Sequence, residues 1–113
     1  MLLEKDRVRL LHMQDHAREA MLLAKGRTRD DIEIDRMLNL SLVRLLEIVG
    51  EAASRVSEET KSLFPMIPWS QIISLRNRLI HGYDNVDFNI LWNIINKEIP
   101  PLVEELKRII EKK

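Results

Sequence analysis

The chain has 113 residues, of which 45% are hydrophobic and 32% charged, with a formal net charge of zero. That length suits one domain with one core, and the balance is that of a soluble globular protein. Zero net charge argues against strong non-specific DNA binding, which draws on a basic field; the lack of cysteine excludes disulfides, thiolate chemistry and cysteine-ligated zinc.

Glu4, Lys5 and Asp6 come too early for a signal peptide. No apolar run approaches the ~20 residues needed to span a membrane, so the expected location is the cytoplasm. Leu10, Met13, Ala17, Met21 and Ala24 recur at spacings of three and four, which predicts a first helix from near residue 3 to Lys25, stopped by Gly26. A second helix, favoured at its start by Asp30 and Asp31, carries Leu38, Leu42, Leu45, Leu46, Val49, Ala53 and Val56. Ser57 to Lys61 reads as its final turn or a short helical extension. Pro65 and Pro68 interrupt the chain, because proline fixes φ and lacks an N–H.

A third helix is expected from Pro68 or Trp69 to about His81, then a loop over Gly82–Asp87. Asp87 is the predicted N-cap of a fourth helix through Ile99. Pro100 and Pro101 should break or kink it, with a last helix from Leu102 onward. No stretch shows the period of two that marks a strand. The expected fold is all-α, an antiparallel four- to five-helix bundle.

The densest chemistry lies in Arg76-Asn77-Arg78-Leu79-Ile80-His81-Gly82-Tyr83. Arginine binds phosphate bidentately, and histidine moves protons near neutrality. On an ideal helical wheel Ser74, Asn77, Arg78 and His81 share a polar face, and Trp69, Ile72, Ile73, Leu79 and Ile80 oppose it. Arg76 then falls among the apolar residues, where an unpaired guanidinium is costly. It either snorkels or pairs with a carboxylate such as Glu51, or it faces a cleft that receives a phosphate. His81 could equally be a helix-terminal cation. Arg76 and His81 lie about 140° apart on one helix, so they converge only if the helix ends near His81 or the arginine curls round, and a second subunit across a two-fold axis is another way to complete the site. His12 and His16 have the spacing of a helical metal pair, but the stretch lacks a zinc-protease glutamate and reads as a solvated face. No metal or other cofactor is expected.

Arg76-Asn77-x3-His81-x-Tyr83 resembles the R-x4-H-x-Y motif of HepT-like proteins, a branch of the HEPN superfamily. Ile48-Val49-Gly50-Glu51-Ala52-Ala53, Pro65-x-Ile67-Pro68-Trp69, and Val86-Asp87 followed by Leu91-Trp92 stand around it in the expected order, over about residues 35 to 105. The resemblance implies one HEPN-like helical domain that forms a homodimer with the motif at the cleft. It implies the toxin of a toxin–antitoxin pair, a metal-independent endoribonuclease. It also implies an MntA-like nucleotidyltransferase antitoxin, which transfers AMP to the motif tyrosine, by position Tyr83. Arg76, Asn77 and His81 would be the catalytic residues and Glu51 a supporting one. RNA supplies its own nucleophile, the 2′-hydroxyl, so the expected products are a 2′,3′-cyclic phosphate and a 5′-hydroxyl. The alternative is a non-catalytic nucleotide- or partner-binding subunit of the nucleotidyltransferase. A purely structural helical dimer is a third reading.

Overall fold

A computed structural model describes residues 2–83 and 85–111. Helix α1, Glu4–Ala24, buries Leu10, Met13, Ala17, Ala20 and Ala24. Ala20 takes the place expected of Met21, which is half-buried. Gly26 follows with φ 76, a left-handed conformation that suits glycine and ends the helix.

The expected second helix begins as two. Helix α2, Arg29–Ile34, is capped by Thr28, whose hydroxyl accepts from Asp31 N while Asp31 accepts from Thr28 N. Asp35 is extended and starts α3, Arg36–Ser54, by accepting from Leu38 N at 3.0 Å. Asn39 Nδ2 donates to the carbonyl of Ile32 at 3.0 Å, which ties the two helices together. Ser57–Lys61 belongs to a separate helix, α4 (Glu58–Leu63), with Ser57 as N-cap.

The expected third helix is also divided. Helix α5, Trp69–Ile73, meets α6, Leu75–Leu79, at a turn on Ser74. The chain then becomes extended before His81. Strand β1, Ile80–His81, pairs antiparallel with β2, Asn85–Val86, in the register Ile80 to Val86 and His81 to Asn85. This small hairpin corrects the expectation of a fold without strands, but two residues per strand leave the architecture an all-α bundle.

Asp87 caps α7, Phe88–Asn93, by accepting from Ile90 N at 3.0 Å, as expected. The helix does not break at Pro100 and Pro101. A π-helical turn, Ile94–Glu98, precedes α8, Ile99–Glu111, and the prolines fall in the first turn of α8. Proline lacks the N–H and presses on the carbonyl four residues back; the wider turn sits where those carbonyls lie. The expectation that this helix runs to the chain end concerns residues 112–113, which lie outside the described residues.

Helix α1 packs against α3 and α8. The core is built from Leu10, Met13, Leu42, Leu46, Val49, Leu91, Ile94, Ile99 and Leu106. No helix among the described residues is long and apolar enough to cross a membrane.

Candidate active site

Gly50 sets how closely the motif segment approaches α3. A Cβ built there would lie 2.8 Å from the carbonyl oxygen of Ile72 and 3.4 Å from that of Ile73. Only glycine admits the end of α5 at that distance. Trp69 anchors the start of α5 through Nε1, which donates to Phe64 O at 3.0 Å. Ile72, Leu75 and Leu79 form the buried stripe of α5 and α6.

That stripe moves Arg76 off the apolar face. Trp69 and Ile80 are only partly buried and Ile73 is 38% exposed, so the wheel centres on Ile72, Leu75 and Leu79 instead. Arg76 stands at its edge, with 64% of its side chain exposed. Its carboxylate partner is Glu47, not Glu51: Arg76 Nε donates to Glu47 Oε2 at 3.1 Å. Glu47 and Glu51 are one turn apart on the same face of α3, and the approach at Gly50 brings α6 level with the earlier one. Glu51 instead accepts from Arg55 Nη2 at 3.3 Å.

Arg76, Asn77, Glu51 and Glu47 share an open groove of about 510 Å³, which Arg44, Gly50, Ser54 and Ile73 also line. Arg44 Nη1 donates to Glu47 Oε1 at 3.5 Å. A more enclosed cleft of about 250 Å³ runs between α5 and the start of α8, lined by Ile67, Ile72, Leu75, Ile94 and Leu102 among others. It holds none of the motif residues, so the polar groove is the better site for phosphate chemistry.

His81 and Tyr83 sit outside the lining of that groove, on the hairpin. The His81 side chain is exposed and makes no hydrogen bond among the described residues. Gly82 has φ 75, which lets the chain turn directly after His81. Tyr83 is fully exposed, at 101%. Arg78, grouped with His81 by the wheel, turns the other way. It forms a bidentate pair with Glu98 across the bundle, at 2.9 and 2.6 Å, and that hydrogen-bonded carboxylate raises the guanidinium pKa further. This commitment takes Arg78 out of the groove. His16 Nδ1 donates to the His12 carbonyl at 2.7 Å, so that nitrogen is spent within the helix. Among the described residues no group of three or more His, Cys, Asp or Glu side chains is placed to hold a metal ion.

Sequence reasoning missed Arg44 and Glu47. Their signal is the spacing of Arg44, Glu47 and Glu51 along the outward face of α3, which one helix alone does not connect to Arg76.

The sequence model of a family described as "HepT-like: Ribonuclease HepT-like" matches residues 13–109. The chain is similar to the "Probable ribonuclease HepT" of Thermococcus cleftensis, with 33% identity over 102 residues, 87% of this chain and 92% of that protein. It is also similar to "Putative RNase TTE0752" of Caldanaerobacter subterraneus subsp. tengcongensis, with 39% identity over 88 residues, 78% of this chain and 79% of the relative. No solved structure matches the chain. A family match over this span, with the motif Arg76-Asn77-x3-His81-x-Tyr83 inside it, places the chain in the HepT-like ribonuclease family.

Proposed function

We propose that the protein is a metal-independent endoribonuclease, the toxin of a HepT/MntA-type toxin–antitoxin pair, with Arg76, Asn77 and His81 as its catalytic residues. The observation that carries this reading is the state of the motif side chains. Arg76 is held only through Nε, which leaves both Nη nitrogens free among the described residues, in an open groove. His81 carries an uncommitted imidazole on the adjoining hairpin.

In this mechanism His81 takes the proton from the RNA 2′-hydroxyl, and the 2′-oxygen attacks the adjacent phosphorus. The bond from phosphorus to the 5′-oxygen breaks, and that oxygen takes a proton from a water molecule. Arg76 grips the non-bridging oxygens through its Nη nitrogens and opposes the charge that builds on them. Asn77 orients the phosphate, and Glu51 supports the groove wall. His81 lies outside the lining of the groove that holds Arg76 and Asn77, which supports a homodimer in which two copies complete each site.

Tyr83 is the proposed acceptor of AMP from an MntA-like nucleotidyltransferase. Its complete exposure, two residues from His81, supports transfer to the hydroxyl. The added phosphate would place negative charge beside the catalytic imidazole and repel the RNA backbone.

The experiment that tests the reaction is end-group analysis of RNA cut by the purified protein in EDTA. The expected ends are a 2′,3′-cyclic phosphate and a 5′-hydroxyl. A 5′-phosphate, or cleavage that needs added magnesium, would contradict the mechanism.

A further inference from the structure

Glu47 connects two arginines that lie on different helices. Only 19% of its side chain is exposed, and each of its oxygens serves a different guanidinium. Oε2 accepts from Arg76 Nε at 3.1 Å, across the gap from α6 to α3. Oε1 accepts from Arg44 Nη1 at 3.5 Å, within α3. Both arginine side chains are about two-thirds exposed, at 64% and 66%.

Exposed ion pairs of this kind add little stability. Their effect here is geometric and electrostatic. Two guanidinium groups share one carboxylate, and Glu51, the other carboxylate of the groove, accepts from Arg55, so these three arginines and two glutamates leave one positive charge over. The Nη nitrogens of Arg76 and Nη2 of Arg44 have no partner among the described residues. Such nitrogens match phosphate oxygens in number and shape.

We infer that Arg44 is a further RNA-binding residue, which takes a phosphate flanking the scissile one, and that Glu47 is the positioning residue that holds Arg44 and Arg76 as one clamp. The inference rests on the reading of Arg76 as the group that binds the scissile phosphate. Glu47 fixes Arg76 through Nε, the one donor position that leaves the guanidinium fork open to the ligand. Gly50, one turn further along α3, lines the same groove and brings the end of α5 close against α3.

The test uses a single-stranded 2′-O-methyl RNA oligonucleotide, which has no free 2′-hydroxyl and cannot be cut. Its binding is followed by fluorescence anisotropy across a salt series, beside cleavage of the matching unmodified RNA. Arg44→Ala should weaken binding about tenfold at low salt and lower the salt slope by about 0.7, the loss of one single-strand phosphate contact. Arg44→Lys should restore the slope. Glu47→Gln should bind the oligonucleotide at least as tightly as wild type, because a negative charge is gone, while kcat falls about tenfold. Unchanged affinity and slope in Arg44→Ala would overturn the assignment of Arg44. Wild-type kcat in Glu47→Gln would overturn the clamp. In either case a loss of cleavage in Arg76→Ala leaves the proposed site standing, whereas wild-type cleavage by Arg76→Ala removes that reading itself.

Discussion

Replacing Asp6 with asparagine removes the one fully buried carboxylate of α1 and tests how that helix is locked to α4. Asp6 Oδ1 accepts from Ser57 N at 3.0 Å, and Oδ2 accepts from Ser57 Oγ and Thr60 Oγ1, each at 2.6 Å. Ser57 Oγ in turn accepts from Thr60 N at 3.3 Å, so one carboxylate organises the N-cap of α4. Hydrogen bonds to a charged group contribute about 1.5–3 kcal/mol each. Asparagine keeps one acceptor oxygen and turns a donor toward the other two hydroxyls, so the expected loss is about 2–4 kcal/mol. For a domain of this size that is roughly 10–20 °C in Tm. Burial pushes the Asp6 carboxyl up, but the Ser57 and Thr60 hydroxyls and the Ser57 N–H more than offset it and hold the pKa below its ordinary value. A folded-state pKa below the unfolded value, about 3.9, stabilises fully above that pH and is lost as pH falls through the folded value. Urea titrations of wild type and Asp6→Asn at pH 7 and pH 3 check both parts. The gap should be full at pH 7 and smaller at pH 3. Equal stability at pH 7, or a gap that pH leaves unchanged, would mean that the Asp6 carboxylate does not lock α1 to α4.

Gly50→Ala should destabilise by about 1–3 kcal/mol, because the new methyl meets the Ile72 carbonyl at 2.8 Å and overpacking outweighs a gain of about 1 kcal/mol in helix propensity; a fall in Tm with a parallel loss of RNA cleavage checks it. Arg78→Ala should cost no more than about 1 kcal/mol, since its pair with Glu98 is partly exposed, and should keep cleavage near wild type. Loss of cleavage in that variant would move the site to the other face of α6. Tyr83→Phe should cut RNA as wild type does and fail to gain AMP-sized mass steps with ATP and an MntA-like transferase; the same mass gain in the variant would place the acceptor elsewhere.

The long elements were legible because their signals are local and repeated. Leu10, Met13, Ala17 and Ala24 mark α1 by spacing alone, and Asp87 marks the start of α7 by its cap. The motif segment was harder, because its geometry depends on packing. A wheel that weights Trp69, Ile73 and Ile80 like Ile72 and Leu79, and leaves out Leu75, turns the helix toward Arg76. Leu75, only 1% exposed, corrects the phase. The turn at Ser74 and the strands Ile80–His81 and Asn85–Val86 are too short to show a period. The choice between Glu47 and Glu51 depends on how far α5 slides along α3, which the contact at Gly50 decides and the spacing does not. The π turn before Pro100 is likewise a tertiary accommodation, since the prolines alone read as a break or a kink. Family membership was legible because it rests on ordered blocks of residues and not on their angles.

Metal-free cleavage of RNA by Arg76 and His81 is the step on which the proposed function stands. Single-turnover cleavage of RNA in EDTA, by wild type, Arg76→Ala and His81→Ala with Arg78→Ala beside them, tests it most directly. Removing a charge-stabilising donor or a general base should each slow the reaction about 10²-fold or more, with the Arg78 variant unchanged. Cleavage at the wild-type rate by either the Arg76 or the His81 variant would assign the chemistry to other residues.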